Sequence, residues 1–455
     1  MNPTRRWRLA VAAMGLGTML NPLSSSMLAV GLVALRDDFG ISVAEVTWIV
    51  TVFYLTSVVA QPLMGRLADV VGPRRVLAAG MVVVAVMSTV APLAPGFAAL
   101  CAMRVAIGFG SSAAFPAALS IIRRSADRVG IAPMPAIARV QLGNSMGVVL
   151  GPAVGGLVVS LWHWSVLFWL SAPIALCALA AVLLLIEPDG PPPAGRGRSL
   201  IAALDLPSVA LFGTTIISIL VFLSRPSRGW SLPLVAVGLA SALLLVRRSR
   251  RVERPFVDLS LVTSASVLPT FVGFWVMTVV YYCVFYGMPQ YLEGALGFGT
   301  GQVGALMVPL AGVSLVANPV VARVLTRVGT KVVLIVGAVW MAAGSCLALL
   351  LTGFSHPALV LVVCGVLGVP YCISTLGYAK AMYDEAPAAK IGVATGMLQT
   401  CRHAGGAVAT IVLSLVFSAG LGPSGLADLV VVMVLGCLVA AGAALAWRTS
   451  SPAAG

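Results

Sequence analysis

The sequence predicts an all-α polytopic membrane protein, and three observations support that prediction. Hydrophobic residues make up 60% of the 455 positions and charged residues only 9%, whereas soluble globular chains carry roughly 25% charged residues. The apolar stretches run for about 18 to 25 residues, the length of a helix that crosses a bilayer. They lack the ten-residue alternation of membrane β-barrels. Because backbone groups in lipid must bond within their own segment, we expect each stretch to be a helix.

Fourteen membrane-spanning helices are expected from the positions of these stretches. They lie near 9–34, 46–65, 75–95, 97–121, 135–160, 164–186, 201–223, 230–246, 264–290, 301–322, 331–352, 357–380, 390–418 and 426–447. The first stretch follows three arginines, but it is too long for the apolar core of a signal peptide. We therefore interpret it as the first spanning helix.

The positive residues predict the orientation. With the N-terminus inside, the segments on that side hold 22 of the 28 Lys and Arg residues, and the opposite loops hold only Arg36, Arg225 and Arg228. Such an excess marks the cytoplasmic side. It predicts a protein of the cytoplasmic membrane with both termini in the cytoplasm. It also accounts for the net charge of +14, so nucleic acid is not expected as a partner. The preference for Arg over Lys favours a bacterial source.

Two linkers divide the chain. Residues 187–200 are rich in Pro and Gly, and residues 247–262 carry an arginine cluster. The predicted organisation is an N-terminal six-helix bundle (1–187), a linker with two additional transmembrane helices (188–262), a C-terminal six-helix bundle (263–447) and a cytoplasmic tail (448–455). The segment 65–74 recurs at 322–331, with Gly72 matching Gly329. Internal repeats of this kind are typical of secondary transporters, which bind substrate near the midplane between the repeats.

Several motifs resemble those of the major facilitator superfamily. The string GRLADVVGPRR at 65–75 is similar to the signature between the second and third helices. Arg104, Gly108 and Gly110 resemble the fourth-helix motif, although Ile107 stands where many relatives have Gln. Residues 147–156 are similar to the fifth-helix motif of antiporters. The fourteen spans, with 289–292 and 402–406, resemble the fourteen-helix drug–proton antiporters. The resemblance implies a major-facilitator fold and alternating-access export of hydrophobic small molecules, driven by a proton gradient without another cofactor, by a monomer.

Two of these motifs have a physical interpretation of their own. In the first, an acidic side chain lies near arginines and a helix N-terminus, so the group predicts a conformational latch on the cytoplasmic side; a loop that only sets topology is the alternative. The predicted latch residues are Gly65, Arg66, Asp69, Gly72 and Arg74. In the second, small residues every four positions allow close helix packing around a proline. The predicted hinge residues are Gly147, Gly151, Pro152, Gly155 and Gly156, with packing alone as the alternative.

Polar and charged residues inside a membrane are costly, so they usually face a cavity or a partner. We expect a substrate cavity lined by Asn21, Ser24, Ser25, Arg104, Gln141, Asn144, Ser145, Gln399 and Arg402. Aromatic rings can stack against flat ligands, which adds Tyr282 and Tyr286, although aromatic residues at such places also serve as ordinary packing. The expected partners are therefore a hydrophobic small-molecule substrate and the lipid bilayer.

No Asp or Glu lies near the middle of a predicted span, so an acidic proton carrier is not evident. His403 is the mid-membrane candidate, because an unperturbed histidine titrates near pH 6.5; a packing role is the alternative. Glu293 and Glu45, at the outer mouth, are the next candidates. One hypothesis is that substrate cations compete with a proton at His403 beside Arg402.

An integral-membrane enzyme is a less favoured alternative. The three histidines form no HExxH motif and no nucleophile elbow is present. The eight cysteines form no CxxC pair, so no metal site is indicated. Uptake of a metabolite or movement of a lipid remains an alternative within the same fold.

Overall fold

A computed structural model describes residues 3–129, 134–190, 204–224, 231–252, 256, 263–264, 267–385 and 391–447. The regular elements of these ranges are helices, with no strand among them. The all-α prediction is therefore confirmed.

The helices follow the chain in three groups. The first group is α1 (Pro3–Phe39), α2 (Val43–Val46), α3 (Trp48–Val71), α4 (Pro73–Val90), α5 (Phe97–Ser111), α6 (Ala114–Val129), α7 (Met134–Leu161), α8 (Val166–Trp169) and α9 (Ser171–Leu185). The second is α10 (Leu206–Ser224) and α11 (Ser231–Ser249). The third is α12 (Leu268–Gly294), α13 (Thr300–Val328), α14 (Thr330–Leu347), α15 (Pro357–Glu385), α16 (Ile391–Val416) and α17 (Pro423–Ala446).

Twelve helical segments of the described chain are long and apolar enough to cross a membrane. The pairs α2–α3, α5–α6 and α8–α9 each form one of these segments. Two predicted spans are not in this set: α10, whose apolar part is the shorter Leu206–Ile219, and α16. The count of fourteen therefore stays a prediction.

The two repeated segments end their helices in the same way. Gly72 joins α3 to α4 with φ +115°, and Gly329 joins α13 to α14 with φ +91°. Only glycine adopts this backbone region without strain. The second span was predicted to end near residue 65, and this was wrong: α3 continues to Val71. The apolar residues of 67–71 extend the helix, so Gly65 lies inside it and Gly72 alone makes the turn.

The predicted hinge glycines of α7 form a ridge against α1. An added Cβ would lie 2.6 Å from the Met19 carbonyl oxygen at Gly147 and 2.7 Å from the Met27 carbonyl oxygen at Gly155. At Gly151 it would overlap the side chain of Ser26. Small residues thus let two backbones touch, and α1 and α7 pack as one unit. The helix is continuous through Pro152.

In the described part of the chain, the two bundles meet mainly along three helix pairs, α7 with α13, α3 with α16 and α1 with α12. The additional helix α10 packs against both α3 and α16, with Val59 of α3 lying 3.6 Å from a Cβ built on Gly213. The pair α10–α11 therefore lies beside one of the seams between the bundles, and residues of that seam form the candidate site.

Candidate substrate site between the two bundles

Hydroxyl groups of α1, α3, α12 and α16 join the two bundles. The phenolic oxygens of Tyr54 on α3 and Tyr286 on α12 are 2.8 Å apart. Tyr286 also donates to the backbone carbonyl of Ser25 on α1 at 3.3 Å. The hydroxyls of Thr51 and Thr410 lie 2.6 Å apart between α3 and α16. These bonds connect two helices of each bundle, and sequence reasoning had identified only Ser25 and Tyr286 among them.

His403 lies at the same seam and faces the N-terminal bundle. The side chain is buried, and its ring lies 5.8 Å from the ring of Tyr54. Nδ1 is 2.8 Å from the Gln399 carbonyl oxygen, and Nε2 is 3.5 Å from Oδ1 of Asn21. The Asn21 amide nitrogen in turn donates to Ser111 Oγ at 3.0 Å. A proton on Nε2 would therefore face an acceptor oxygen across the two bundles.

Arg104 is enclosed within the N-terminal bundle. Its side chain is 0% exposed, and its terminal nitrogens donate to the hydroxyl and the backbone carbonyl of Ser24. The guanidinium carbon lies 4.1 Å from the ring centroid of Phe53, which is cation–π geometry. Nε has no hydrogen-bond partner among the described residues. Among the described residues, the guanidinium thus contacts a hydroxyl, a carbonyl and a ring, but no carboxylate.

Arg402 occupies a different position, although it is adjacent to His403. It turns toward the C-terminal bundle, 5.9 Å from the ring centroid of Phe274, and it is partly exposed. Its Nε is buried without a hydrogen-bond partner in the described part of the chain. Tyr281 and Tyr282 lie close enough to interact electrostatically with the Arg402 charge. Tyr281 also stacks on Tyr371, with ring centroids 3.8 Å apart. We call Phe274, Tyr281, Tyr282, Tyr371 and Arg402 the Arg402 patch.

The other residues predicted for the cavity divide into two sets. Tyr282 stacks on Tyr286 at 5.9 Å and belongs to the seam. Gln399 is partly exposed and offers its carbonyl to His403. On α7, Gln141 and Ser145 are partly exposed, whereas Asn144 donates to the Thr18 carbonyl at 3.4 Å and so faces α1 of its own bundle.

Comparison with known proteins agrees with this arrangement. The family model of the Major Facilitator Superfamily matches residues 14–410. The chain belongs to this superfamily. YwoD of Bacillus subtilis (strain 168), an uncharacterised MFS-type transporter, is 31% identical over 90% of this chain and 89% of its own. The multidrug efflux pump LfrA of Mycolicibacterium smegmatis is 29% identical over 92% of this chain and 82% of its own.

A solved structure supports the fold assignment. The chain is similar to a bacterial homologue of the human lysosomal transporter Spinster, in an inward-facing and occupied conformation, with a TM-score of 0.67 at 15% identity. The alignment covers 100% of both chains. The family model and the membrane-length helices together identify the protein as a multi-pass membrane transporter of the major facilitator superfamily.

The acidic candidates of this transporter lie near helix ends. Glu293, at the end of α12, accepts a hydrogen bond from Thr300 at 3.4 Å, and its Oε1 is buried without a partner among the described residues. Glu45 accepts from the backbone and hydroxyl of Ser42 at 2.9 and 2.8 Å and completes a capping box at the start of α2. Capping is a structural role that this motif commonly has.

The predicted latch residues contact their own bundle and the linkers. Asp69 is exposed and interacts with Arg123 and Arg124 of α6. The Arg66 guanidinium lies 5.6 Å from the ring of Phe256 and interacts with Asp205. Gly65 lies beside Pro116, whose side chain would be 3.5 Å from an added Cβ.

Sequence reasoning missed Asp189, which occupies the N-terminus of α4. Its carboxylate accepts the backbone N–H groups of Arg74 at 3.3 Å and Arg75 at 2.8 Å. The Arg74 side chain donates to the Leu183 carbonyl at 2.7 Å. An anion is stabilised at this end of a helix by the unpaired N–H groups and the helix dipole. Two features of the sequence could have indicated this contact: an Asp just after α9, and Pro73 at the start of α4.

Proposed function

We propose that this transporter exports hydrophobic or amphipathic small molecules, such as drugs or metabolites, by proton antiport with alternating access. The polar seam between the bundles is the observation that carries the proposal. Asn21, His403, Tyr54 and Tyr286 lie where the two repeats meet near the middle of the membrane, the usual place for substrate and ions in such carriers. The relative LfrA, named a multidrug efflux pump, supports export as the direction.

The contacts between the bundles indicate which side is closed. Gly156 meets Gly304, Ser160 meets Gly301 and Thr51 meets Thr410, all on the side of the membrane where α1 ends at Phe39. With both termini in the cytoplasm, as the positive residues predict, this closed side is the outer one. We infer that the site faces the cytoplasm in this state, as collection of a substrate for export requires.

His403 is the proposed proton site. Its Nδ1 lies against a carbonyl oxygen, which can only accept, so Nδ1 carries the proton of the neutral ring. Nε2 of that tautomer and Oδ1 of Asn21 are then two facing acceptors. A second proton on Nε2 converts the contact into a hydrogen bond between the bundles and favours the closed outer side. Glu293 is the next candidate, and Glu45 is weaker because Ser42 already occupies its carboxylate.

The motif residues have proposed mechanical roles. The α7 ridge holds α1 and α7 together as a unit, and its Gly156 is the pivot against α13. The latch residues Asp69 and Arg74 hold the inner end of the N-terminal bundle and would engage the other bundle when the inner side closes. In this proposal the transporter works as a monomer, with the proton gradient in place of a cofactor.

Accumulation of a panel of dyes and antibiotics tests the function. Cells that express the protein should hold less of at least one compound than cells without it, and an uncoupler should remove the difference. Higher accumulation with the protein would instead establish an uptake carrier. A difference that survives the uncoupler would contradict proton coupling. Reporter fusions at residues 195 and 455 check the topology, since a periplasmic signal at either one contradicts the orientation.

A further inference from the structure

We propose that the substrate is an aromatic anion, whose carboxylate or phenolate oxygen binds Arg402 while its rings lie beside Tyr371. The inference rests on the proposed function, since it names the chemical class that the exporter carries. It replaces the earlier hypothesis that cations compete at this place. Three observations support it, namely the charge of the membrane interior, the unpaired groups of the Arg402 patch and the shape of that patch.

The middle of the membrane-spanning region is positive. Arg104 and Arg402 both lie well inside their helices, whereas none of the 14 Asp and Glu residues lies near the middle of a predicted span. Arg104 is shielded by Ser24 and Phe53. Because low-dielectric surroundings screen charge poorly, a cation that enters the seam meets repulsion and an anion meets attraction. A chain that carried cations would be expected to place a carboxylate here.

The guanidinium groups of Arg104 and Arg402 differ in how many hydrogen bonds they donate within the protein. The terminal nitrogens of Arg104 donate hydrogen bonds to Ser24. Arg402, by contrast, forms neither a hydrogen bond nor an ion pair with the described residues. The hydroxyl of Tyr281, in the same patch, is also buried without a hydrogen-bond partner among those residues. Buried polar groups are normally paired, so two unpaired groups in one patch indicate a ligand with acceptor oxygens. The planar fork of arginine matches a carboxylate in two places at once.

The aromatic rings give the rest of the ligand its shape. Tyr281 and Tyr371 are nearly parallel, with planes 18° apart. Tyr371 and Arg402 both interact with Tyr281, and both are partly exposed. A flat ring that continues this stack would place an acidic substituent within reach of the guanidinium. His403, the next residue of α16, points in a different direction, toward Tyr54 and Asn21. Tyr282 belongs both to the patch and to the seam, so the Arg402 patch lies next to the proposed proton site.

Three fluorescent probes of nearly equal shape test the charge preference. Anthracene-9-carboxylate is an anion, 9-anthracenemethanol is neutral and 9-(aminomethyl)anthracene is a cation. Binding to the full-length protein in lipid nanodiscs is measured by fluorescence anisotropy, with empty nanodiscs to subtract partition into lipid. The carboxylate should bind at least tenfold more tightly than the amine. Arg402→Gln should remove that preference but keep binding of the neutral probe, and Arg402→Lys should retain part of it.

Arg323→Gln is the matched control, because it removes the same charge from an exposed position near the end of α13; it should leave the preference unchanged. The inference is overturned if the amine binds as tightly as the carboxylate, if the preference survives Arg402→Gln, or if no probe binds saturably. The accumulation assay in cells tests the proposed function separately from the charge preference. Efflux with a preference for cations defeats the charge inference alone, whereas a carboxylate preference without any efflux defeats the proposed function alone.

Discussion

Gly156 of α7 and Gly304 of α13 bring the two bundles into direct backbone contact. A Cβ on Gly304 would lie 2.7 Å from the Cα of Gly156 and 2.7 Å from the Pro152 carbonyl oxygen. Real Cβ atoms do not approach backbone this closely, so the bundles must separate to admit even one methyl group. We expect Gly304→Ala to open the outer side and to slow transport at least tenfold.

Cysteine labelling from outside, at a position introduced near Ser160, measures this opening. Gly312→Ala is the control on the same helix, because its added Cβ meets only Val308, at 3.8 Å. Equal labelling and equal transport in the two variants would show that the Gly156–Gly304 contact does not govern closure.

A second prediction concerns Asp205 and Arg248, which pair between the two additional helices at 2.8 Å. Asp205 is 3% exposed and has φ +50°, a conformation that Asn also tolerates. Asp205→Asn therefore removes the charge without adding backbone strain. Loss of one partner of a buried pair costs about 3–5 kcal/mol, but Arg248 reaches solvent, so about 1–2 kcal/mol is expected. The measurement is thermal unfolding in detergent.

The exposed pair Lys380–Asp384 provides the control for that measurement. Its side chains are 38% and 41% exposed, and surface pairs contribute little. Asp384→Asn should leave the unfolding temperature nearly unchanged. A similar small shift for Asp205→Asn would mean that the pair does not hold α10 and α11 together.

The third prediction separates two causes of strain at Gly72. A Cβ at this residue would overlap the carboxyl group of Asp189, and φ is +115°. Gly72→Ala should destabilise the protein more than Gly329→Ala, since Gly329 has φ +91° but nothing within 4 Å of its Cβ. Asp189→Ala should cost about 1 kcal/mol through loss of the cap on α4. When Asp189→Ala is already present, Gly72→Ala should lower the free energy of unfolding by less than it does in the wild-type protein. If the effects of the two substitutions on that free energy simply add, the close contact is disproved.

The fourth prediction concerns His403 as the proton site. His403→Gln keeps a polar side chain opposite Asn21 but cannot take up a proton, so export should lose its response to the proton gradient. Transport against pH in proteoliposomes measures this response. A His403→Gln protein with the wild-type pH profile would transfer the role to Glu293. Arg402→Ala should reduce transport without abolishing the pH dependence, because the two side chains face different bundles.

The fifth prediction concerns Glu385, at the end of α15 beyond its membrane-spanning part. Burial raises the pKa of its carboxyl from 4.5 to about 7, although a hydrogen bond from Thr270 at 3.1 Å opposes the shift. The folded state therefore binds the proton more tightly than the unfolded state. This contribution to stability is complete below about pH 4.5 and is lost as the pH rises to about 7.

Because the Glu385 carboxyl is only half-buried and solvent screens its interactions, the loss should be on the order of 1–2 kcal/mol. Glu385→Gln should therefore flatten the fall in unfolding temperature between pH 5 and pH 8. Asp384→Asn should flatten it only slightly, because the Asp384 charge is the smallest cause of the raised pKa. An unchanged pH dependence in Glu385→Gln would show that another group is responsible.

Much of this architecture was predictable from local features of the chain. Apolar length and low charge predict spanning helices because lipid leaves the backbone no other partner. The glycine spacing of α7 predicts a close helix contact, and Gly155 and its neighbours make one with α1. The match of Gly72 with Gly329 predicts two equivalent turns, and both have positive φ. Each of these features depends only on residues near one another in sequence.

The contacts of the candidate site could not be predicted from local features of the chain. The sequence placed His403 beside Arg402 in one hypothesis, but Arg402 turns to Phe274 of its own bundle and His403 to Asn21 of the opposite bundle. Tyr54 and Thr51 gave no signal in the sequence, because their importance comes only from the helices opposite them. Asp189 was passed over as linker, although it caps a helix more than a hundred positions away.

The sequence by itself determined that this chain is a bundle of membrane helices with an internal repeat, two interior arginines and no interior acid. Those properties follow from composition, length and spacing, which lipid solvation converts directly into structure. Only the tertiary structure decided that Tyr54 meets Tyr286, that Gly156 meets Gly304 and that Arg402 has neither a hydrogen bond nor an ion pair with the described residues. These relationships depend on the rotation and height of helices from different bundles, which are set by close packing of many side chains at once.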